Sequence, residues 1–374
     1  MLYPAFFTIQ FLLIFFATIP LFYWVFLLKF KPYEPNKEFN NLLDYSICIL
    51  LPMRNEASNA KRKIIEVVDE IKNFDKIDIL IVNSDSNDET EKISNQTLKM
   101  SELAENRWKI LTSGKPGKSI AINVALEHID CDFIIMMDTD SSLDSGWLKT
   151  ITNGFYEDEI GLISGFEKLN NSKSTLSKLE YKKYSNALRS RESGLDSCFV
   201  VEGSIIAWRT AVMGDFRLLE NSNADDCQLA CQAVRNGFRS VLDKNLKFWN
   251  HEKKYESEFK RSLRRAQGLS RVLTKNIGII FESIANRSKI PFIFSLYFYV
   301  IFPWVLLLLF CNSLFGLMIF GYGPFHMIGI SFIIFLLFSI SKFARSLFNG
   351  VFVLVISHIL LIFGIKFYVW NNIK

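Results

Sequence analysis

Residues 132–140 read Asp-Phe-Ile-Ile-Met-Met-Asp-Thr-Asp, and they decide the fold that the sequence predicts. Phe133–Met137 is a continuous apolar run, short enough for a strand buried on both faces, as strands of a parallel sheet are. The run ends at Asp138 and Asp140, which are separated by Thr139. Ligands of open α/β sheets bind at the carboxyl ends of the strands, where paired carboxylates suit a hard divalent cation such as Mg²⁺ or Mn²⁺. An isolated Asp-x-Asp is also typical of a solvated acidic turn, so its meaning depends on the rest of the chain.

Hydrophobic residues make up 50% of the 374 residues, and they are concentrated at the two ends of the chain. Residues 5–28 carry no charge and are long enough to cross a bilayer core of roughly 30 Å. Lys29 and Lys31 follow directly, which by the positive-inside rule places the N-terminus outside and the continuation in the cytoplasm. After Arg287 and Lys289 come three more apolar segments, at 292–320, 322–341 and 347–370. The sequence therefore predicts an integral, multi-pass membrane protein, although the length of segment 292–320 leaves open an interfacial portion.

The charged part between the first two apolar segments has the size of one domain and contains four polar segments. Strands at 46–51, stopped by Pro52, and at 77–82 alternate with helices, which predicts a parallel sheet with helices on both faces. The polar segments would then meet at one edge of the sheet. In chain order they contain Pro52, Arg54, Asn55 and Glu56; Asn83 and Asp85; Gly117 and Lys118; and Asp138 with Asp140. Each segment could be only a turn with a helix cap, because Asp, Asn and Ser suit both.

In this order the four segments resemble those of family-2 glycosyltransferases, over about residues 45–275. The resemblance implies the α/β fold called GT-A, a nucleotide-diphospho-sugar transferase domain with a Rossmann-like sheet, at residues 31–275. One N-terminal transmembrane helix (1–30), an interfacial segment (276–291) and about three C-terminal transmembrane helices (292–374) would complete the chain. The arrangement is similar to the inverting, membrane-bound branch that contains ceramide glucosyltransferases and polysaccharide synthases.

The resemblance also implies roles for the four segments. Binding of a nucleotide-diphosphate sugar would fall to Pro52, Arg54, Asn55, Glu56, Asn83, Asp85, Gly117, Lys118 and Asp138. Asp138 and Asp140 would hold Mg²⁺ or Mn²⁺ as the cofactor. The family usually carries two aspartates after its second strand, where this chain has Asn83 and Ser84. A neutral Asn still hydrogen-bonds a base edge, so donor binding is retained, but this departure leaves the nucleobase open. A UDP-sugar is the first candidate donor.

A helix is predicted to begin at Asp225 and Asp226 and to end at Gly237, a suitable C-cap. In the family this position carries Glu-Asp or Asp-Asp, and the second acid, here Asp226, resembles the catalytic base. Acidic residues are also favourable charges at any helix N-terminus, so a purely structural role for the pair stays open.

A further helix is predicted over 259–273, and its basic side chains form a stripe at i, i+3, i+7 and i+10 with Gly268. The guanidinium groups of Arg261, Arg264 and Arg265 would clamp the donor's diphosphate. The alternative is a basic helix that lies on anionic lipid. Family members often have Gln-x-x-Arg-Trp here, and this chain has neither the Gln nor the Trp. The missing Trp counts against processive polymerisation, in which that side chain helps to form the acceptor site.

The sequence thus predicts a metal-dependent, inverting transferase that moves one sugar to a lipid or lipid-linked acceptor hydroxyl at the cytoplasmic face. Transfer to a polyprenyl phosphate and processive polysaccharide synthesis are alternatives, and a catalytically silent scaffold is a third. A transporter is disfavoured because the apolar segments contain almost no ionisable residue beyond His358 and Lys366. The membrane is an expected partner and nucleic acid is not. The six cysteines form no metal-ligand pattern, so we expect free thiols, and the four histidines are scattered and form no site of their own.

Overall fold

The computed structural model describes residues 2–35, 45–168, 176–251, 258–283, 286–321 and 342–367. Within these residues an eight-stranded sheet has the order β3-β2-β1-β4-β7-β6-β8-β5. Its strands are β1 Ile47–Met53, β2 Ile77–Asn83, β3 Trp108–Thr112, β4 Phe133–Met137, β5 Ser141–Leu143, β6 Ile160–Glu167, β7 Ile205–Arg209 and β8 Arg239–Asn250. The predicted strand at 133–137 has the bounds of β4.

The sheet is mixed, whereas the sequence predicted parallel pairing throughout. Strands β3, β2, β1 and β4 are parallel, but β7 runs antiparallel to both β4 and β6. The strand–helix alternation that predicts parallel pairing therefore extends only through β4. Because Ile205 pairs with Met137, β7 begins at the edge where β4 ends. The segment before β7 is thereby brought to the carboxyl edge of the parallel strands.

The part of the chain that contains the sheet has helices on both faces of the sheet. They are α2 Ala57–Ile71, α3 Thr90–Lys99, α4 Lys118–Leu126, α5 Trp147–Gly154, α6 Leu176–Leu195, α7 Asp225–Arg235 and α8 Glu258–Lys275. Alternate residues of β1 belong to two different hydrophobic clusters, Ile49 and Leu51 to one and Cys48 and Leu50 to the other. Each fully buried Ile or Leu contributes roughly 1.5–3 kcal/mol, so the two-sided burial of the central strands holds the site edge rigid.

Pro52 was expected to stop the first strand, but β1 continues to Met53. The pairing of β1 with β4 ends at Leu50, opposite Met136, while Pro52 still pairs with Val82 of β2. Pro52 therefore lies where β1 has a neighbour on one side, which is the position in a sheet that tolerates a missing N–H.

The apolar ends form helices α1 Leu2–Leu27, α9 Asn286–Leu296, α10 Phe302–Phe320 and α11 Lys342–Ile362, with a π-helical segment, Tyr297–Ile301, joining α9 to α10. Three stretches are long and apolar enough to cross a membrane: Pro4–Leu27, Arg287–Ile319 and Arg345–Ile362. They correspond to the predicted segments 5–28, 292–320 and 347–370. The predicted segment 322–341 lies outside the described residues.

Candidate active site

The ends of β1 and β2 are joined by a network of mainly neutral hydrogen bonds. Asn55 and Asp85 both have left-handed backbone conformations, with φ of 51° and 54°, which Asn and Asp tolerate better than most residues. The backbone N–H of Asn55 donates to Ser86 Oγ at 3.0 Å, and the Asn55 side chain accepts from the N–H of Asn87 at 2.8 Å. Asn83 Oδ1 accepts from the N–H of Ser86 at 3.2 Å. These hydrogen bonds hold the turns that follow β1 and β2 against each other. Sparsely populated backbone conformations at functional sites persist only where surrounding contacts fix them in this way.

Glu56 and Arg54 extend this network in different ways. The N–H of Glu56, which is buried, donates to Thr90 Oγ1 at 2.8 Å, so this residue fixes the start of α2. Arg54 has two guanidinium nitrogens, Nε and Nη1, that are buried and have no hydrogen-bond partner among the described residues. Buried donors without partners are costly, which makes Arg54 a candidate for binding an anionic ligand at this edge.

The turn after β4 is held from three sides. The Asp138 N–H donates to the carbonyl of Ser204 at 3.0 Å, just before β7. From α2, Arg62 donates to the carbonyl of Thr139 at 2.8 Å and contacts Ser142. The N–H of His251, directly after β8, donates to the carbonyl of Asp140 at 2.7 Å. The backbone around Asp138 and Asp140 is therefore held in place by contacts with several other elements of the fold.

Lys118 forms ion pairs with both acidic pairs of the site, through Asp138 of the Asp138–Asp140 turn and through Asp225 at the start of α7. Its Nζ lies 2.9 Å from Asp138 Oδ1 and 3.0 Å from Asp225 Oδ2, and it also donates to the carbonyl of Gly203 at 3.1 Å. Although burial alone would lower it, Asp138 and Asp225 raise the pKa of Lys118 above its ordinary value. Gly117 precedes it with a φ of 156°, and the Gly117 N–H donates to Ser84 Oγ at 2.9 Å, which ties α4 to the end of β2.

Asp226 lies in the first turn of α7, as predicted, beside this cluster. A Cβ placed on Gly203 would lie 3.5 Å from Asp226 Oδ2 and 3.7 Å from Lys118 Nζ, so both groups lie against the backbone of Gly203. Burial and the neighbouring charge of Asp225 raise the pKa of Asp226 to about 7. A carboxyl with such a pKa can both accept and release a proton near neutral pH.

A second charged cluster lies on the other side of Gly203. The Glu202 carboxylate contacts Lys182 at 2.5 Å and Arg189 at 2.6 Å, and both bases belong to α6. Although burial would raise it, Lys182 and Arg189 lower the pKa of Glu202 to about 2. Arg265 of α8 acts on the same carboxylate electrostatically. Glu202 is therefore a half-buried anion close to Asp226, and it raises the pKa of Asp226 further.

The predicted arginine stripe of α8 points toward the segment that leads into α7. A Cβ on Gly268 would lie 3.3 Å from the backbone N of Ala224, and Arg271 donates to the carbonyl of Asn221 at 2.8 Å. Arg261 and Arg264 share this stripe and are half-buried, whereas Arg265 is exposed on the neighbouring stripe. Two of the three predicted arginines thus share the stripe of α8 that faces the segment leading into the acidic pair of α7.

Arg62, His251 and Glu202 were missed as site residues at the level of sequence. Arg62 lies between Lys61 and Lys63 in α2, and Glu202 lies outside the polar segments that follow the predicted strands. His251 was not among the predicted site residues, and its Nε2 lies 2.8 Å from Ser142 Oγ, next to Asp140. The signal that could have found His251 was its position after a strand; the long-range pairing of β8 with β5 was not predictable from spacing.

The residues present fit a divalent cation that is shared with a substrate. Among the described residues no group of three or more His, Cys, Asp or Glu side chains is arranged to hold a metal ion by itself. Asp138 and Asp140 offer hard carboxylate oxygens on a fixed turn, and Mg²⁺ is commonly bound by one or two carboxylates plus substrate phosphates. The ion pair between Lys118 and Asp138 shows that this carboxylate already binds a positively charged group.

Two families match the chain. Residues 48–213 match Glycosyl transferase family 2, and residues 133–368 match Glycosyl transferase family group 2. No curated protein sequence matches. The second family match extends from β4 through α11 and thus includes both the acidic motifs and the apolar C-terminal helices.

Among solved structures, the chain resembles a mannosyltransferase from Pyrobaculum calidifontis in complex with GDP-Man and Mn²⁺. The TM-score is 0.77 at 18% sequence identity, over 95% of this chain and 99% of that chain. It also resembles the glucosyl-3-phosphoglycerate synthase of Mycobacterium tuberculosis, with a TM-score of 0.46 at 14% identity, over 62% of this chain and 78% of that one. The first likeness shows that the chain has the GT-A fold that the sequence predicted.

Proposed function

Because the chain belongs to Glycosyl transferase family group 2, we propose that this glycosyltransferase moves one sugar from a nucleotide-diphosphate sugar to a hydroxyl of a lipid or lipid-linked acceptor. The observation that carries the proposal is the position of Asp226. It lies at the start of α7, beside Lys118 and Gly203, at the sheet edge where Asp138 also lies. A carboxyl there can take the proton of an acceptor hydroxyl while the donor is held on the neighbouring strand ends.

The donor would occupy the ends of β1, β2 and β4. The neutral network of Asn55 and Asn83 suits a nucleoside, and the partnerless nitrogens of Arg54 suit its diphosphate. Asp85 lies close enough to act on Arg54 electrostatically, so it would orient that side chain. The remaining predicted donor residues, Pro52, Glu56, Gly117 and Lys118, would shape the backbone of this edge. A UDP-sugar is the first candidate donor.

Asp138 and Asp140 would hold Mg²⁺ or Mn²⁺ against the diphosphate. When bound, such a cation would neutralise part of the charge that develops on the leaving oxygen. Arg261, Arg264 and Arg265 would contribute further positive charge from α8, and preorganised charges of this kind supply a large part of enzymatic rate enhancement. Asp226, with Asp225 keeping Lys118 in place, would accept the acceptor's proton as the new bond forms. One direct displacement inverts the anomeric centre.

The membrane arrangement is part of the proposal. Residues 1–30 and 292–374 would anchor the catalytic domain (31–275) at the cytoplasmic face, with 276–291 at the interface. Three apolar helices of sufficient length and the exposed Phe11, Leu21 and Phe22 of α1, each more than 60% exposed, support this. A protease added outside sealed cells should spare residues 31–289, and a tag at Met1 should be accessible. Cleavage within the domain in intact cells would reverse the orientation.

One observation keeps the polyprenyl-phosphate acceptor as a second candidate. Lys182 and Arg189 lie next to Glu202, and two cations near Asp226 could receive a phosphate. Both are already paired with Glu202, and Lys182 also contacts Glu167 at 3.1 Å. A phosphate would therefore have to displace these half-buried ion pairs and approach three acidic side chains, Glu167, Glu202 and Asp226. A neutral hydroxyl meets neither cost, and it is the acceptor that we favour.

The experiment that tests the proposal is a transfer assay. The purified full-length protein is incubated with Mg²⁺ or Mn²⁺, vesicles of a total lipid extract, and a panel of radiolabelled UDP- and GDP-sugars. We expect one donor to label the lipid fraction with a single sugar, and EDTA to abolish labelling. Failure of every nucleotide sugar to bind or to react would contradict the proposal, and full activity in excess EDTA would contradict the metal.

A further inference from the structure

The short segment that leads into Asp225 and Asp226 is attached to two different parts of the molecule. Within the catalytic domain, Ser119 of α4 donates to the carbonyl of Ser222 at 3.1 Å, and Lys118 binds Asp225. On its other side the segment meets α8 and the residues that follow α11. The proposed base is therefore positioned both by the donor-binding edge and by the end of a helix long enough to cross a membrane.

Gln267 of α8 is the centre of the second attachment. Its side chain is 1% exposed and makes contacts on both of its polar atoms. Nε2 donates to the carbonyls of Ile365 at 3.0 Å and Ser357 at 3.3 Å, and Oε1 accepts from the N–H of Phe367 at 2.9 Å. One amide thus holds the last turns of α11 and the extended residues 365–367 behind it, which we call the strap.

The strap reaches the catalytic segment directly. Asn223 Nδ2 donates to the carbonyl of Phe367 at 2.6 Å, two residues before Asp225. Gly268, next to Gln267, lies so close to Asn223 and Ala224 that an added Cβ would lie 3.3 Å from the backbone N of Ala224 and 3.4 Å from the backbone C of Asn223. The segment, α8 and the strap therefore form one packed unit, with Gln267 and Asn223 as its two hydrogen-bonding ties.

We propose that Gln267 is a positioning residue that sets the depth of Asp226 relative to the membrane. Gln267 ties α8 to the strap, and Asn223 ties the strap to the segment before α7. The inference rests on the proposed function, since it assigns a role to the approach of a membrane-bound acceptor. Lipid headgroups lie at a fixed height above the bilayer, so their hydroxyl can be reached only if the base is held at that height. Water has no such restriction, because it reaches Asp226 from any depth.

This difference gives the proposal a distinctive consequence. A displacement of about 1 Å at a reacting group can cost on the order of 10²-fold in rate. Loss of the Gln267 tie should therefore slow transfer to a lipid while donor binding and slow hydrolysis of the donor by water persist. The proposed donor site lies at the ends of β1, β2 and β4, whereas the side-chain contacts of Gln267 go to Ser357, Ile365 and Phe367.

The test compares Gln267→Leu with Gln10→Leu in the full-length protein. Gln10 is a matched control: it is also a buried glutamine, and it joins two apolar helices through Ser313 at 2.8 Å and Asn312 at 2.7 Å, with none of these contacts on the catalytic segment. Hydrogen–deuterium exchange of residues 218–228 needs no substrate. We expect faster exchange there in Gln267→Leu and Asn223→Ala, and unchanged exchange in Gln10→Leu. Unchanged exchange in Gln267→Leu would overturn the proposal.

The kinetic arm uses UDP-glucose and GDP-mannose separately as donors, with and without total-lipid vesicles. Gln267→Leu should lower transfer to lipid tenfold or more, with donor KM and donor hydrolysis within about twofold of the unmodified protein. Asn223→Ala should act in the same direction, and the double variant should lose less than the sum of the two, because both ties end on the strap. If transfer and hydrolysis fall together, Gln267 is merely structural and the proposal is wrong.

The two hypotheses fail in different ways. Absence of donor binding by the unmodified protein would contradict the proposed function, and the exchange experiment would still decide whether Gln267 orders the catalytic segment. Normal donor chemistry with equal transfer by Gln267→Leu and Gln10→Leu would contradict the positioning role alone.

Discussion

The two halves of the site edge are built by different physical means. At the ends of β1 and β2, Asn55, Asn83 and Ser86 hold each other by neutral hydrogen bonds between neighbouring turns. Around Gly203, charged side chains from four elements, β4, α4, α6 and α7, are packed against one another with little solvent. The neutral half determines the shape of the proposed donor-binding surface. The charged half contains groups whose protonation states and positions depend on one another.

This difference predicts how each half responds to substitution. A neutral hydrogen bond contributes about 0.5–1.5 kcal/mol net, so changes at the strand ends should alter donor affinity modestly. Buried charges near a reacting bond act on the transition state, where each 1.36 kcal/mol changes the rate tenfold. Substitutions in the charged half should therefore lower turnover far more than they alter donor binding.

The largest effect is expected for Asp226→Asn. Removal of a general base typically costs on the order of 10²–10⁴-fold, so transfer to lipid should nearly stop while nucleotide-sugar binding stays intact. Glu220→Gln, an exposed acid shortly before the same helix, serves as the control and should keep its rate. Transfer rates and donor dissociation constants measured on the same preparations decide the matter; an Asp226→Asn variant of normal rate would assign this acid to helix capping only.

Asp140→Asn comes next, with turnover at least 10²-fold lower, because a preorganised electrostatic interaction of a few kcal/mol is lost. Asp130→Asn is the matched control, since Asp130 is exposed before the opposite end of β4. The measurement is a titration of activity with Mg²⁺ and Mn²⁺ after EDTA treatment. Equal metal dependence of the two variants would argue against a cation at the Asp138–Asp140 turn.

The pH dependence of transfer should be intermediate in size. Burial and Asp225 raise the pKa of Asp226 to about 7, and the base is active only when it is ionised. The rate should therefore be level above that pH and fall about tenfold per unit below it. Asp225→Asn removes the nearest negative charge, so the falling limb should move to lower pH. A profile that is flat from pH 5 to 8 would show that no group of this kind limits the reaction.

The smallest effect is expected in the neutral half. Asn83→Ala removes the acceptor for the Ser86 N–H and should raise donor KM about three- to tenfold with little change in kcat. Asn87→Ala is the control, because Asn87 enters the network through its backbone N–H. A fall in kcat that exceeds the rise in KM would mean that the two halves are coupled, and the comparison drawn above would fail.

The same comparison explains what could be predicted from the sequence. The bounds of β4 and the start of α7 follow from local pattern: an apolar run of five residues, and acids that open an amphipathic helix. The location of the polar segments at one edge of the sheet could also be predicted, because parallel strands all end at the same edge. Family resemblance then supplied the fold, which the comparison with a solved structure confirms.

The rest depends on contacts between distant residues. β7 pairs antiparallel with β4, and this direction places Gly203 between the two charged clusters. No local sequence pattern encodes the direction in which a strand pairs. Arg62 and His251 reach the Asp138–Asp140 turn from α2 and from the end of β8. Local hydrophobicity does not decide side-chain burial either: Ile65 of α2 and Phe259 of α8 are apolar, yet they are 44% and 49% exposed.

The measurement that tests the account most directly is the acid stability of the product formed by the unmodified protein from a radiolabelled nucleotide sugar and total lipid extract. A carboxyl base at Asp226 is needed for a hydroxyl acceptor, whereas a phosphate is already anionic at pH 7. The account predicts that the labelled sugar stays on the lipid in mild acid, as a sugar joined to a hydroxyl does. Release of the sugar under the same conditions would show a phosphate-linked product and contradict the central claim.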